Sequence, residues 1–302
     1  MADQRGLFQE TEKLLSAAQE KRPEELLFTY KGILYPSMLC SPETFEALDL
    51  FELRERDLLV VSYPKCGSTW TRQLLNDMVY TISGKEPPSE MPFLEFGTPD
   101  KLERLTHVQS PRVLLTHLHN DNLPKGVFVK KLKTLVVFRN PKDAAVSLFH
   151  FHNNNPVLPN YDSWDEFFEC FISGKVVYGS YFDHAIAWNK HIDDENVMIV
   201  MFEDMKQDLV AATTQIADFF GIRLTKEQIQ FIADKCSFKS MKEKSNETHG
   251  KMGSIIFRKG DVGDWKNHFS EAQSQEMDAK FEECLAGTKL GEKMSYNVYC
   301  TA

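Results

Sequence analysis

The sequence predicts an α/β fold: a single domain over residues 1–302, with a mostly parallel central sheet and helices on both faces. Three observations lead there. Four short apolar runs, residues 58–61, 113–115, 135–138 and 197–202, have the length and composition of buried strands. Stretches with apolar residues at helical spacing lie between them. No linker, internal repeat or low-complexity tract divides the chain.

In chain order, residues 1–27 read as a peripheral segment. It contains an amphipathic helix over 5–20, with Leu7, Phe8, Leu14 and Leu15 as its apolar positions. Residues 28–32 read as a short strand or turn. Ser41-Pro42-Glu43-Thr44 opens a helix, with Ser as the cap and Pro at the first position. The first buried strand, 58–61, enters a tight loop. Leu74, Leu75, Met78 and Val79 then extend a helix from Trp70 to about residue 80. Residues 84–92 carry three prolines and form a surface connection. Residues 113–119 begin as a strand and end polar. Residues 132–138 form the third strand, and Pro141 suits the start of a helix that turns Ala144, Ala145, Leu148 and Phe149 inward. Residues 151–161, rich in Asn and Pro, read as a long loop. Ser163-Trp164-Asp165-Glu166 has the spacing of a capping box. The fourth strand, 197–202, leads into a helix to residue 220 that Gly221 stops. Thr225 caps another helix, residues 245–251 read as a mobile polar loop, and a last helix starts near Ser270.

Composition narrows the function. The chain is 42% hydrophobic with 22 Phe, enough for a large core. A net charge of −9 argues against nucleic-acid and anionic-membrane partners. Any polyanionic ligand must be held by local cations. The six cysteines, Cys40, Cys66, Cys170, Cys236, Cys284 and Cys300, show no C-x-x-C pair, and the nine His show no H-E-x-x-H pattern, so no metal is expected. There is no apolar signal core in residues 1–20 and no run of 18 apolar residues. The expectation is a reduced, soluble protein of the cytosol.

The chemistry gathers at predicted strand ends, where ligands bind in α/β sheets. Ser62-Tyr63-Pro64-Lys65-Cys66-Gly67-Ser68-Thr69-Trp70 is a strand–loop–helix unit. Such a unit aims backbone N–H groups at an anion; Lys65 adds charge, Ser68 and Thr69 add hydroxyls, and Gly67 allows close approach. It is not a Walker A loop, because Lys65 precedes the glycine. Thr116-His117 ends the second strand. Arg139 ends the third, with Ser147 eight residues on, and the pair can converge on one phosphate. Arg258-Lys259-Gly260 adds two cations and a flexible backbone.

These motifs resemble those of the cytosolic sulfotransferases. The similarity runs from about Phe28 to the C-terminus and is carried by Tyr63-Pro64-Lys65-Cys66-Gly67-Ser68-Thr69-Trp70, Thr116-His117-Leu118, Arg139-Asn140-Pro141-Lys142-Asp143 with Ser147, and Arg258-Lys259-Gly260 before Gly263-Asp264-Trp265-Lys266. Within the family the chain looks most like the thyroxine branch. The resemblance implies sulfonate transfer from 3′-phosphoadenosine 5′-phosphosulfate (PAPS) to a hydroxyl acceptor, leaving the 3′,5′-bisphosphate PAP, without a metal. It implies that Lys65 meets the bridging oxygen of the donor and that His117 is the base. From the residues themselves His119, two positions on, would share the face of His117 if the strand continues, and it is the second candidate. Cys66, Gly67, Ser68 and Thr69 would hold the 5′-phosphosulfate. Arg139, Ser147, Arg258, Lys259 and Gly260 would hold the 3′-phosphate. Trp70 would stack on the adenine with Phe202 near it, Cys236, Phe238, Met241 and Phe257 would belong to the nucleotide site, and His150, Phe151 and Tyr178 would lie near the acceptor.

Several positions depart from the family pattern. Leu115 stands where many members carry Lys, Phe202 replaces a Tyr, and Cys236 replaces a Thr. The family's dimer segment reads Lys266, Ser270-Glu271, Gln275 here, with a carboxylate at its apolar centre, so a monomer or weak homodimer is expected. The departures keep open a second reading, a catalytically weak nucleotide-binding protein on the same fold.

Overall fold

The computed structural model describes residues 12–88 and 90–301. A small antiparallel hairpin, β1 (Leu27–Tyr30) and β2 (Ile33–Pro36), precedes the main sheet. That sheet has four parallel strands, β3 (Leu58–Ser62), β4 (Val113–Thr116), β5 (Thr134–Phe138) and β6 (Val197–Met201), in the order β4-β3-β5-β6. Val61 pairs with Thr116 on one side and Val136 on the other. The chain goes from β3 to β4, then crosses to the far side of β3 for β5. The order therefore reverses at β3, and a crevice opens beyond the carboxyl ends of β3 and β5. The Lys65 loop and Arg139 both emerge there.

Every residue of β3, β4 and β5 is buried. Alternate side chains serve opposite layers, as the strand pleat requires. Leu59 and Val61 join Tyr63, Leu114, Val136 and Phe138 in one apolar cluster, whereas Leu58 and Val60 join Trp70, Leu74, Leu115, Leu135 and Val137 in the other.

The predicted sheet and covering helices are present, and several boundaries differ. The helix after β3 begins at Ser68, since Gly67 caps it at φ 112°, and runs to Asn76 before a wider turn over Asp77–Thr81. Helix Pro141–Asn154 takes in Phe151, so the expected loop starts only at Asn155. Asn155 precedes Pro156, which disfavours helical backbone at the residue before it. The helix after β6 is two helices, Phe202–Gln207 and Leu209–Phe220, because the Asp208 carboxylate accepts the Ala211 N–H and restarts the chain. Glu166 accepts from the N–H of Asp162 rather than closing a box on Ser163. The stretch expected to be mobile holds a short helix, Ser245–His249, with Ser245 buried. Gly253 packs on it so closely that a Cβ would meet the Ser245 carbonyl at 2.6 Å.

Residues 12–19 are helical with Leu15 and Ala18 buried; Leu7 and Phe8 lie outside the described residues. The helix expected to be last, Glu271–Cys284, opens on a Ser270–Gln273 capping box. It is not the last: two short helices follow, Lys289–Lys293, capped by Thr288, and Tyr296–Tyr299. The buried Lys142 ties them to the site helix, donating to the Cys300 carbonyl and Ser274 hydroxyl, each at 2.7 Å. Among the described residues no helix is long and apolar enough to cross a membrane.

Candidate active site

The loop after β3 is built for an anion. Lys65 sits at φ 68° and Gly67 at φ 112°, so the chain turns sharply and presents the first N–H groups of helix Ser68–Asn76 without a side-chain cap. A Cβ on Gly67 would lie 3.2 Å from the Phe202 ring, a second reason for glycine. Lys65 is half-buried, its ammonium 4.1 Å from the Phe151 ring centroid. Burial, together with the positive fields of Arg139 and Arg258, pulls its pKa down to about 7. The thiol of Cys66 is fully buried and pushed up to about 12 by burial, which makes it a packing residue.

The cations beyond β5 are held by carboxylates. Arg139 is buried, stacks over Phe202 at 4.5 Å, and donates to the Asp261 carbonyl at 2.7 Å. Its Nε has no partner among the described residues. Asp143, one turn on, accepts the N–H groups of Gly263 at 2.7 Å and Trp265 at 3.0 Å. Buried Glu203 accepts the N–H of Asn140 at 2.9 Å. Thus the carboxylate of the Arg139–Asp143 motif docks the segment that carries Arg258 and Lys259. Those two pair with Asp264 at 2.6 and 2.5 Å. Burial would raise Asp264, but their hydrogen bonds hold its carboxyl well below the usual range.

The proposed adenine residues form one wall. Trp70 donates from Nε1 to the Cys236 carbonyl at 2.7 Å and meets the Phe202 ring edge-on at 5.3 Å. Cys236 therefore serves Trp70 through its backbone, while its thiol donates to Asp77 at 3.4 Å. The Thr-to-Cys departure leaves the main-chain contact in place. Phe202 lacks a hydroxyl but supports Arg139 by its face. Met241 and Phe257 are buried in the same cluster as Trp70, and Phe238 packs against it. Gly260, at φ 67°, lies under the Phe238 ring; an added Cβ would fall 2.1 Å from a ring carbon.

A cleft of about 400 Å³ is lined by Lys65, Ser147, His150, Phe151, Lys251 and Arg258, among others. It brings Lys65 together with Ser147 and Arg258, two of the five residues predicted to hold the 3′-phosphate; Arg139, Lys259 and Gly260 are not in its lining. His150 and Phe151 belong to this cationic cleft. Among the described residues, His150, Asp264 and His268 bring three metal-capable atoms within 4.8 Å of one another. Both Asp264 oxygens are engaged by Arg258 and Lys259, and the cationic lining opposes a divalent ion.

His117 stands on the other side of the loop. Its Nδ1 lies 2.7 Å from the Ser62 carbonyl, the last residue of β3. A carbonyl only accepts, so Nδ1 carries the proton and Nε2 keeps its lone pair. Burial holds the imidazole pKa down to about 4, against the Ser62 bond and with the Lys65 charge, so the ring is neutral near pH 7. Tyr178 meets the ring edge-on at 5.3 Å, and Phe93 and Phe96 lie 4.9 and 6.5 Å away. His119 does not share this face: β4 stops at Thr116, and His119 caps the turn Asn120–Asn122 instead. Sequence reading missed Phe93, Glu95, Phe96 and Tyr35. The signal for Phe93, Glu95 and Phe96 was faint, a Pro-flanked Phe-Leu-Glu-Phe run without strand length, and Tyr35 lies in the short strand β2 far away in sequence.

Three comparisons place this geometry among known proteins. A family model described as a sulfotransferase domain matches residues 55–291. Sulfotransferase 6B1 of Mus musculus is 51% identical over 303 residues, covering 100% of both chains. Amine sulfotransferase of Oryctolagus cuniculus is 34% identical over 85% of this chain and 90% of its own. The crystal structure of mouse sulfotransferase SULT7A1 complexed with PAP superposes with a TM-score of 0.79 at 36% identity, over 89% of this chain and 98% of that one.

Proposed function

We propose, from the premise that this chain belongs to the sulfotransferase family, that it moves a sulfonate from PAPS to the hydroxyl of a small acceptor, with His117 as general base. The observation that carries the reading is the pairing of His117, neutral with Nε2 unprotonated, and Lys65 at the carboxyl ends of adjacent strands. In the step, a bond forms between sulfur and the acceptor oxygen as the bond from sulfur to the bridging oxygen breaks. The acceptor proton passes to Nε2 of His117, and the electron pair of the broken bond stays on the nucleotide, where the Lys65 charge stabilises it. Arg139, Ser147, Arg258, Lys259 and Gly260 hold the 3′-phosphate, and Trp70 with Phe202 supports the adenine. No metal takes part.

The acceptor is phenolic, with thyroxine-like aromatic alcohols as first candidates. The aromatic surroundings of His117, namely Phe93, Phe96 and Tyr178, support a flat acceptor. The protein acts in the cytosol, as a monomer or weak homodimer, without nucleic-acid or membrane partners. Labelled PAPS offered with a panel of phenols tests the reading. Labelled sulfate esters are expected. Tight PAP binding with no ester from any phenol would favour the nucleotide-binding alternative, for which Leu115 is the remaining departure without a compensating contact.

A further inference from the structure

We propose that Glu95 is a positioning residue for His117: its buried carboxylate fixes the main chain where β4 ends and so aims the imidazole. The inference rests on His117 being the base.

The argument starts from the end of the strand. The ladder between β3 and β4 stops at Val61–Thr116. The next N–H, that of His117, has left the sheet inside the protein and needs an acceptor. Glu95 Oε1 supplies it at 2.8 Å. At the other end of the same residue, the Ser62 carbonyl holds the ring. His117 is thus pinned at its backbone by Glu95 and at its imidazole by β3.

Glu95 is itself delivered by a built segment. Residues 92–95 run beside β4, with the Leu94 N–H on the Leu115 carbonyl at 2.8 Å and the Leu115 N–H on the Pro92 carbonyl at 2.9 Å. This alignment sets Phe93 and Phe96, on either side of Glu95, against the His117 ring. The buried Lys101 reaches back to the carbonyls of Phe93 and Leu94. Four residues therefore bring two ring contacts and one hydrogen bond to the same histidine.

The carboxylate is an expensive way to fill this space. Glu95 is fully buried, and its Oε2 has no hydrogen-bond partner among the described residues. Burial raises its pKa, opposed in turn by hydrogen bonds from the His117 N–H, its own backbone and the Thr116 hydroxyl, and last by the Lys101 charge. Packing alone is better served by an apolar side chain. What an apolar side chain lacks is an acceptor for the His117 N–H.

The test is a graded series, Glu95→Gln, Glu95→Asp and Glu95→Leu, with His117→Ala as control. Glutamine keeps an acceptor oxygen at the same reach, aspartate withdraws it by one methylene, and leucine removes it while filling the volume. Readouts are kcat for sulfonate transfer from PAPS to a phenol, PAP affinity, thermal melting, and the His117 tautomer from long-range proton–nitrogen spectra. Glu95→Leu is expected to lower kcat about 10- to 100-fold, the scale of a misplaced catalytic group. PAP affinity should not change, aspartate should fall between, and glutamine should stay near wild type. The Nδ1–H tautomer should persist in wild type and Glu95→Gln and become mixed in the other two. Wild-type kcat and an unmixed tautomer in whichever of Glu95→Asp and Glu95→Leu folds would overturn the proposal. If wild type and His117→Ala turn over alike, the base assignment has failed instead. The tautomer spectra still decide whether Glu95 orients the ring.

Discussion

On the nucleotide side of Lys65, Arg258 and Lys259 share Asp264, and Arg139 lies 3.8 Å from Asp143. Charge there is concentrated and largely compensated before any ligand arrives. Lys65 is the exception, with no ion pair among the described residues and an aromatic ring beneath its ammonium. The His117 side is aromatic and buried, with the carboxyl group of Glu95 and a neutral imidazole. The two sides divide the chemistry. One recognises a polyanion and takes up the charge that leaves with it, and the other receives a proton in a low-dielectric setting. The separation matters because a cation against His117 weakens the base, as the Lys65 charge already does in part, and a carboxylate against Lys65 would compete with the donor.

The largest effect should come from removing the residue where the two sides meet. Lys65→Met is expected to lower kcat about 10²–10³-fold, the cost of losing one charge-stabilising donor. PAP affinity should stay within about tenfold, roughly 1.4 kcal/mol. Titration calorimetry beside turnover checks it; a near-wild-type kcat breaks the division. A smaller effect sharpens it. Arg258→Gln should weaken PAPS more than adenosine 5′-phosphosulfate, and equal losses would mean that Arg258 does not read the 3′-phosphate. The same variant should move the pH profile. Lys65 is depressed to about 7, by burial first and then by Arg139 and Arg258. Its charge is present below that pH and lost above it, so kcat/KM for the donor should fall as pH rises through about 7. Removing the Arg258 charge raises the Lys65 pKa and should shift that limb to higher pH.

The smallest effect lies away from the cleft. Glu271 and Lys266 are exposed, and Gln275 donates to Glu271 at 3.4 Å within the same chain. A two-fold contact centred there would bring two Glu271 carboxylates together with little apolar area to offset them. Light scattering should give a single chain at micromolar concentration, with kcat untouched by Glu271→Val. A tight dimer insensitive to Glu271 and Lys266 would show that another surface governs assembly.

The two sides also differed in how far the sequence revealed them. The nucleotide side is local: residues 63–70, 139–147 and 258–264 are short motifs whose charges and glycines carry their own geometry. Strand, loop and helix there follow from neighbouring residues, and Gly67 was recognisable as a place of close approach, whereas Gly260 read only as flexible backbone and its packing under Phe238 was not. The His117 side is assembled over distance. Tyr178 meets Tyr35 and His117 because β2 and the sheet bring them together, as the isolated bridge between Leu34 and Val177 shows. Glu95 reaches His117 only through an edge pairing too short to show periodicity. His119 seemed to share a face with His117 because the strand was read as continuing past Thr116. Of the helix boundaries that moved, the one at Asn154 lies later than expected because the helix runs on until the Asn155-Pro156 pair stops it, and the break at Asp208 arises because a mid-sequence cap outweighs the apolar spacing.

The most direct test of the central claim, that His117 takes the acceptor proton while Lys65 serves the donor, compares two phenols in three proteins. One phenol is largely ionised at the assay pH and the other is not. Rates are measured for wild type, His117→Ala and Lys65→Met at saturating PAPS. His117→Ala should lose about 10²–10⁴-fold with the un-ionised phenol and recover much of that with the ionised one, which needs no base. Lys65→Met should lose the same factor with both. Equal losses for the two phenols in His117→Ala would contradict the account, since the histidine would then be doing something other than accepting the proton.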